Sequence, residues 1–575
     1  MKYSVLIYMA LLSYSFHAQN IVIENATIID VHTGTLTENQ NLLVEDGLIT
    51  SISNRTIKNK KEYQVIDATG NYLMPGMIDT HIHFFQTGSL YTRPDAVDMT
   101  DVVPYEEELA FAEVLTKDSF NRYLRLGITT VMDVGGPFSN FKVRDTIAKE
   151  QIAPNVYVTG PLFSPYQPEA LSKLDDVPIA KITSIEEATA LFNKMLPYQP
   201  DFIKIWYIAN AATPAEKTYP IVAHIAKLAH DHDLKLAVHA TQFNTAKLAV
   251  EAGADILVHS VDDKEVTEEF AQLLKQKQVT YIPTLIVSKN YYTSFTGTPE
   301  DHIQDLNFAN SKVYSTLKDV KRYTKETMPD RLKRFQSNSV AFLEYYANKS
   351  QLMAKNLKFL QERGVNIATG TDAGNIGTMH ASSYIQEIEA MKNSGFTNAQ
   401  LLQAATINAA KGFGVDRKLG SITEGKIADI VVLDKNPLVD IQNLNTIESV
   451  IKDGEVLQAS TIIKETPEQI VQRQLNAYNA KNMEAFLDTY TDTIEIFNFP
   501  NESTLKGKEA LRNLFTEMFE NTTTLYCEIK NRMVLGNKVI DKEHVRFGDQ
   551  YFDVIAIYEI EDGKIAKVTF VRDKK

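Results

Sequence analysis

The run Pro75-Gly76-Met77-Ile78-Asp79-Thr80-His81-Ile82-His83 sets two imidazoles two residues apart at the end of an apolar stretch. Side chains on a strand alternate with period two, so both rings face the same side. Neutral imidazoles suit zinc, and such a pair makes half of a tetrahedral ligand set. Four more residues of ligand type follow in the same setting. Lys204 lies within Phe202-Ile203-Lys204-Ile205-Trp206 and His239 within Leu236-Ala237-Val238-His239-Ala240. His259 lies within Ile256-Leu257-Val258-His259-Ser260 and Asp372 within Gly370-Thr371-Asp372-Ala373-Gly374. Each closes or interrupts a short apolar run of the kind that forms a buried parallel strand. Taken singly, each histidine reads as a core residue satisfied by a hydrogen bond, and the lysine as an ion-paired one. Taken together, four histidines, a lysine and an aspartate at successive strand ends point to a two-metal hydrolase.

Outward from these runs, residues 76–413 alternate strand and helix. Strands are expected at 77–83, 128–133, 154–159, 202–206, 235–239, 255–259, 279–283 and 366–371, with helical patterns between most of them. Eight strands with crossover helices predict an α/β fold, a (β/α)8 TIM barrel with its site at the carboxyl ends of the strands. The segment 285–350 is too long for an ordinary connection and is expected to form a lid or side wall. Two blocks of short alternating strands, 19–75 and 414–463, flank the barrel and read as the halves of one small composite β-sandwich into which it is inserted.

Lys204 is the informative member of the set. Its neighbours alternate away from it, so its amine is expected to point into the barrel, where burial favours the neutral form. A neutral amine can take up carbon dioxide to give a carbamate, an anionic oxygen ligand able to bridge two cations. Asp372 would complete a ligand shell and stand near the attacking water. The constellation resembles the amidohydrolase superfamily, in its binuclear, carbamylated-lysine branch near the imidazolonepropionase-like and Xaa-Pro dipeptidase-like members. The resemblance covers about residues 20–460. It rests on the 75–83 run, Ala252-Gly253-Ala254-Asp255 leading to His259, the Gly-Thr-Asp-Ala-Gly run at 370–374, and Gly420-Ser421-Ile422 with Gly425-Lys426-Ile427-Ala428-Asp429-Ile430.

That resemblance implies two divalent metal ions, taken as Zn2+. His81, His83 and Asp372 would hold one, His239 and His259 the other, with carbamylated Lys204 between them. It further implies hydrolysis of a C–N bond in a peptide-like (dipeptide, Xaa-Pro type) or cyclic amide substrate by a metal-bridging hydroxide. Asp372 would act as general base and then general acid. A lactonase or esterase on the same site, and a non-catalytic binding protein, are the alternatives. Candidate substrate contacts are His380, eight residues past Asp372, Arg93 and Tyr91 in the loop after the first strand, and Tyr207 after the Lys204 strand.

The net charge of −14 argues against nucleic acid or an anionic membrane as partner, and a small-molecule substrate is expected. Lys2, the apolar stretch Val5 to Leu12 and Ala18 read as a signal peptide over residues 1–18, predicting an exported, periplasmic or secreted protein. The apolar stretch is shorter than the roughly 20 residues a spanning helix needs. The single cysteine, Cys527, rules out an intramolecular disulfide and reads as buried and inert.

Residues 464–575 read as a separate α+β cone. Helices are expected near 466–478 and 483–489, followed by strands at 494–496, 526–529, 539–540 and 554–558 and a closing hairpin. Through Ala477-Tyr478-Asn479-Ala480-Lys481-Asn482, Leu505-Lys506-Gly507-Lys508 and Asp562-Gly563-Lys564-Ile565 this unit resembles the NTF2-like superfamily, with its SnoaL-like members. The resemblance implies an apolar pocket and a route to a homo-oligomer. Asp492 and Glu543 are the carboxylates that could serve such a pocket, with binding or dimerisation favoured over catalysis.

Overall fold

A computed structural model describes residues 20–572, except 59, 212 and 325. The signal-peptide reading of residues 1–18 lies outside that range. Among the described residues no helix is long and apolar enough to cross a membrane.

Eight parallel strands form the centre of the chain. They are β1 (Met77–Ile82), β2 (Ile128–Asp133), β3 (Asn155–Val158), β4 (Ile203–Trp206), β5 (Leu236–His239), β6 (Ile256–Val258), β7 (Thr280–Ile282) and β8 (Asn366–Ile367). β1 and β2 are buried along their whole length, as strands covered on both faces must be. The hydrogen-bond ladder divides them into two sheets rather than one closed one. β1, β2 and β3 make a three-stranded sheet, whereas β4 to β8 continue a seven-stranded sheet that begins with Ile179–Lys181 and Leu162–Ser164.

The divisions have local causes. Leu162–Ser164 occupies the edge of β4, pairing Phe163 with Ile205, so β3 is joined to the approach to β4 through Asp201, whose N–H donates to Val158 O at 3.0 Å and whose Oδ2 accepts from Val158 N–H at 2.8 Å. β8 is two residues long, and past it the contact with β1 shrinks to the bridge Ile82↔Ala373 and a few backbone bonds. Inside, Ile78, Met132, Ala237, Ile256, Ile282 and Ala368 pack as one apolar cluster, drawn from both sheets.

The strands before and after this region share one sheet of eight strands. Ile430–Leu433 runs antiparallel to Tyr72–Pro75 with Ile430 opposite Pro75, so the chain leaves and re-enters the same sheet around the central strands. Buried Lys452 helps tie this sheet to the central strands: its ammonium lies 3.4 Å from Asp429, whose Oδ2 accepts from Asn155 Nδ2 on β3.

Residues 285–362 are mostly helical, with Leu285–Thr296, Ile303–Phe308, Ser311–Thr316, Asp330–Ser337 and Ser339–Glu362. The buried carboxylate of Glu387 accepts from the backbone N–H groups of Leu285 (2.9 Å) and Ile286 (3.1 Å), anchoring the first helix at its positive end.

The C-terminal unit lays Pro467–Ala480, Met483–Asp488 and Lys508–Asn521 against a six-stranded sheet. Thr466 and Gln469 close a capping box on the first helix, and Pro467 occupies its first turn. That helix faces two ways. Ile470 and Val471 join Leu306, Val313 and Tyr314 of the helical segment in one apolar cluster. Asn476 Nδ2 donates to Ser311 O at 2.8 Å, and Ser311 Oγ to Gln469 O at 2.9 Å.

Candidate metal centre and its pocket

β1 ends by delivering His81 and His83 to one point, with their Nε2 atoms 3.3 Å apart. The turn after β8 brings Asp372 to the same point. Its N–H donates to His81 O at 2.7 Å and His83 N–H to Ala373 O at 2.8 Å, which registers the turn on β1. Asp372 Oδ1 then lies 3.1 Å from both Nε2 atoms. Ligand atoms that share a tetrahedral cation at about 2.0–2.1 Å stand about 3.3 Å from one another. The three tips therefore have the spacing and chemistry of a metal shell.

His259 faces the same point: atoms of His81, His259 and Asp372 all lie within 4.8 Å of one another. The His259 ring sits 4.9 Å from His81 and 4.3 Å from His239 between centroids. Lys204, on β4 beside β5, is only 2% exposed. All six residues line one cavity of about 490 Å³.

Burial sets the protonation states. It drives the His81 imidazole down to about 3 and those of His239 and His259 well below their ordinary value, so the rings are neutral and offer lone pairs. Burial brings the Lys204 ammonium down to about 7, with Asp372 opposing. Burial would raise the Asp372 carboxyl, but His81 and His83 outweigh it and hold it well below the usual carboxylate range.

Outer contacts orient the rings. His83 Nδ1 donates to Gly135 O at 2.7 Å; a carbonyl only accepts, so the Nε2 lone pair is left facing Asp372 and His81. His259 Nδ1 bonds Thr284 Oγ1 at 2.7 Å. Asp133, at the end of β2, accepts from Asn140 Nδ2 (2.7 Å) and from Gly135 N–H (3.3 Å), fixing the loop that supplies that carbonyl.

The backbone is strained where the site is assembled. His259 (φ 76°) and Asp372 (φ 63°) both occupy the left-handed region, which non-glycine residues enter at a cost of about 1–3 kcal/mol. Gly374 (φ 102°) is required beside them, because a Cβ there would lie 2.5 Å from His83 O.

The expected substrate contacts fare differently. Arg93 lines the cavity, gripped by Asp95 through two bonds of 2.7 and 2.6 Å, and turns Nη1 to Asn375 Oδ1 (2.5 Å) and Tyr291 OH (3.1 Å). His380 is a correction. Both its ring nitrogens are spent in the interior, on Tyr123 OH at 3.0 Å and Gln86 O at 2.9 Å, and the ring stacks on Phe84 away from the cavity lining.

Tyr207 is a second correction: it is buried, and its hydroxyl donates to Ala215 O at 2.6 Å. Tyr91 is a third, its hydroxyl turned to Asp319 at 3.0 Å. Neither lines the cavity. The sequence reading missed Tyr291 and Arg331, both on the cavity wall and both from the helical segment. It also missed Asn375, whose amide donates to Asp372 Oδ1 at 2.7 Å. Its place three residues after Asp372 was the available signal.

A family model described as the amidohydrolase family matches residues 72–457, and one for a SnoaL-like domain matches 471–568. An imidazolonepropionase from Brevibacillus brevis is 35% identical over 115 residues, which are 19% of this chain and 27% of that protein. A 5-methylthioadenosine/S-adenosylhomocysteine deaminase from Acetivibrio thermocellus is 23% identical over 486 residues, covering 79% of this chain and 97% of that one. The solved structure of a Xaa-Pro dipeptidase with bound methionine in its active site superposes with a TM-score of 0.58 at 22% identity, over 76% of this chain and all of that one, a likeness of fold. The first of these matches runs over well more than half of the sequence: the chain belongs to the amidohydrolase family, as a metal-dependent hydrolase of carbon–nitrogen bonds that carries a SnoaL-like domain after its catalytic region.

Proposed function

We propose that the protein is an exported amidohydrolase that cleaves a C–N bond of a peptide-like substrate, a dipeptide of Xaa-Pro type or a cyclic amide, on a binuclear centre. In this reading the two parallel sheets are arcs of one (β/α)8 barrel, supported by the apolar cluster that both contribute to. Export rests on Lys2, the apolar Val5 to Leu12 stretch and Ala18. The observation that carries the proposal is the meeting of His81, His83, Lys204, His239, His259 and Asp372 in one cavity.

His81, His83 and Asp372 would hold one divalent ion, His239 and His259 the second, and Lys204 would bridge them as a carbamate. Zinc suits the nitrogen-rich donor set. When bound, the ions supply Lewis acidity and bring the pKa of water toward neutrality. The chain's own part is proton handling and positioning. Asn375 Nδ2 donates to Asp372 Oδ1 and orients the carboxylate, which would accept the proton of the attacking water and pass it to the departing nitrogen. Arg331 adds a positive charge to the cavity wall beside the Arg93–Asp95 pair, which favours a substrate with a free carboxylate.

The test is elemental analysis of the purified protein and of Lys204→Ala, alongside a panel of dipeptides, cyclic amides and lactones. About two zinc-like ions per chain, falling together with amide hydrolysis in the variant, are expected. One ion or none, unchanged by the substitution, would overturn the bridged centre. Lactones cleaved in preference to amides would overturn the substrate class.

A further inference from the structure

The C-terminal domain holds a second cavity of about 490 Å³, and nothing in the hydrolase reading uses it. Its walls are aromatic and aliphatic, including Tyr478, Tyr490, Phe515 and Phe570. Leu514, Phe547 and Phe552 line it and are also 50%, 42% and 45% exposed, so they form an apolar rim open to solvent. Among the described residues the lining contains one carboxylate, Glu543, on the strand Lys538–Phe547 and only 6% exposed.

Among the described residues Glu543 has no ion-pair partner. Tyr558 OH donates to its Oε1 at 2.7 Å, and no bond to its other oxygen is found among the described residues. The nearby guanidinium of Arg532 is consumed by Asp541, which it grips through bonds of 2.7 and 2.6 Å. Arg572, the one basic residue on the lining among the described residues, is exposed and lies over the Phe570 ring at 5.2 Å. A buried carboxylate with no basic partner is costly, and the cost is removed by a ligand that brings a positive charge to it. The surrounding rings favour the same charge through their π faces. Burial lifts the Glu543 carboxyl to about 7, which is the same lack of compensation seen as an acidity.

We propose that this cavity binds an apolar amine, a molecule with an aromatic or branched hydrocarbon body and one ammonium group that pairs with Glu543. The volume lies in the range of pockets that enclose small organic ligands. The site is independent of the metal centre, so the inference stands or falls apart from the hydrolase reading.

The experiment is calorimetric titration of the full chain with 4-phenylbutylamine, 4-phenylbutan-1-ol and 4-phenylbutyrate, which share one body and differ in the head group. The amine is expected to bind at least about tenfold more tightly than either analogue. Glu543→Gln, which keeps the shape of the side chain, is expected to abolish that preference and leave amide hydrolysis unchanged. The proposal is overturned if the alcohol or the acid binds as tightly as the amine. It is equally overturned if Glu543→Gln keeps the preference.

Discussion

Two cavities of equal volume, about 490 Å³ each, serve this chain, and their linings obey opposite rules. In the catalytic region, neutral histidines, an easily neutralised lysine and an ionised aspartate converge until each alters its neighbours' acidity. In the C-terminal domain one acid stands alone in an apolar shell, with its charge answered only by a tyrosine hydroxyl. The first lining is self-compensating and strained, held by left-handed backbone at His259 and Asp372. The second is relaxed and uncompensated. A crowd of ligands calls for cations and chemistry, whereas a solitary buried acid calls for a partner that arrives from solution.

The contrast breaks most sharply at Asp372. Asp372→Asn should lower kcat by about a thousandfold, since it removes the proton acceptor, while amine binding in the second cavity stays intact. Steady-state kinetics beside calorimetry would check both halves, and loss of both together would mean that the two cavities are not separate. A smaller effect is expected one contact out from the metal. Thr284→Val removes the partner of His259 Nδ1 and should weaken metal binding by about 10–100-fold, measured by competition with a chelator, with activity returning in excess metal.

At the cavity wall, Arg331→Ala should raise KM about tenfold for a substrate with a free carboxylate and spare kcat, since it removes binding rather than chemistry. An equal effect on a substrate whose carboxylate is blocked would remove Arg331 from recognition. The smallest effect sharpens the other side of the comparison. The folded-state pKa of Glu543, about 7, lies above its ordinary 4.5, so the folded protein holds an extra proton between these values. Its contribution to stability is full below about 4.5 and is lost as pH rises through about 7, by at most about 3 kcal/mol. Glu543→Gln should therefore flatten the fall of the melting temperature across that window and leave kcat within about twofold. An unchanged slope would place the titrating group elsewhere.

What the sequence disclosed follows from where information is local. A buried strand writes its apolar run and its polar residue side by side, so His81, His239 and His259 could be placed at strand ends and Lys204 within its strand from a few residues each. His380 could not, because its partners Tyr123 and Gln86 lie more than 250 residues away in sequence and only folding turns its ring inward. Arg331 and Tyr291 were hidden for the same reason: the helical segment contributes to the cavity through packing that no spacing records.

In the C-terminal unit, the helix Lys508–Asn521 was overlooked although Leu511, Leu514, Phe515, Met518 and Phe519 recur at helical intervals. Asp492 and Glu543 looked alike as candidate acids. The fold separates them, exposing Asp492 in an ion pair with Lys508 and burying Glu543 in the cavity.

The helix Pro467–Ala480 gives the SnoaL-like domain a place in the enzyme's construction. Gln474, Leu475 and Tyr478 on that helix line the second cavity, while Ile470, Val471 and Asn476 are seated on the helices that follow the catalytic wall. One rod is thus shared by two rooms. The C-terminal domain is masonry as much as cargo: a lineage that discarded it would uncover the apolar back of the enzyme's own wall. One that exchanged it for another domain would have to keep this single helix as the keystone.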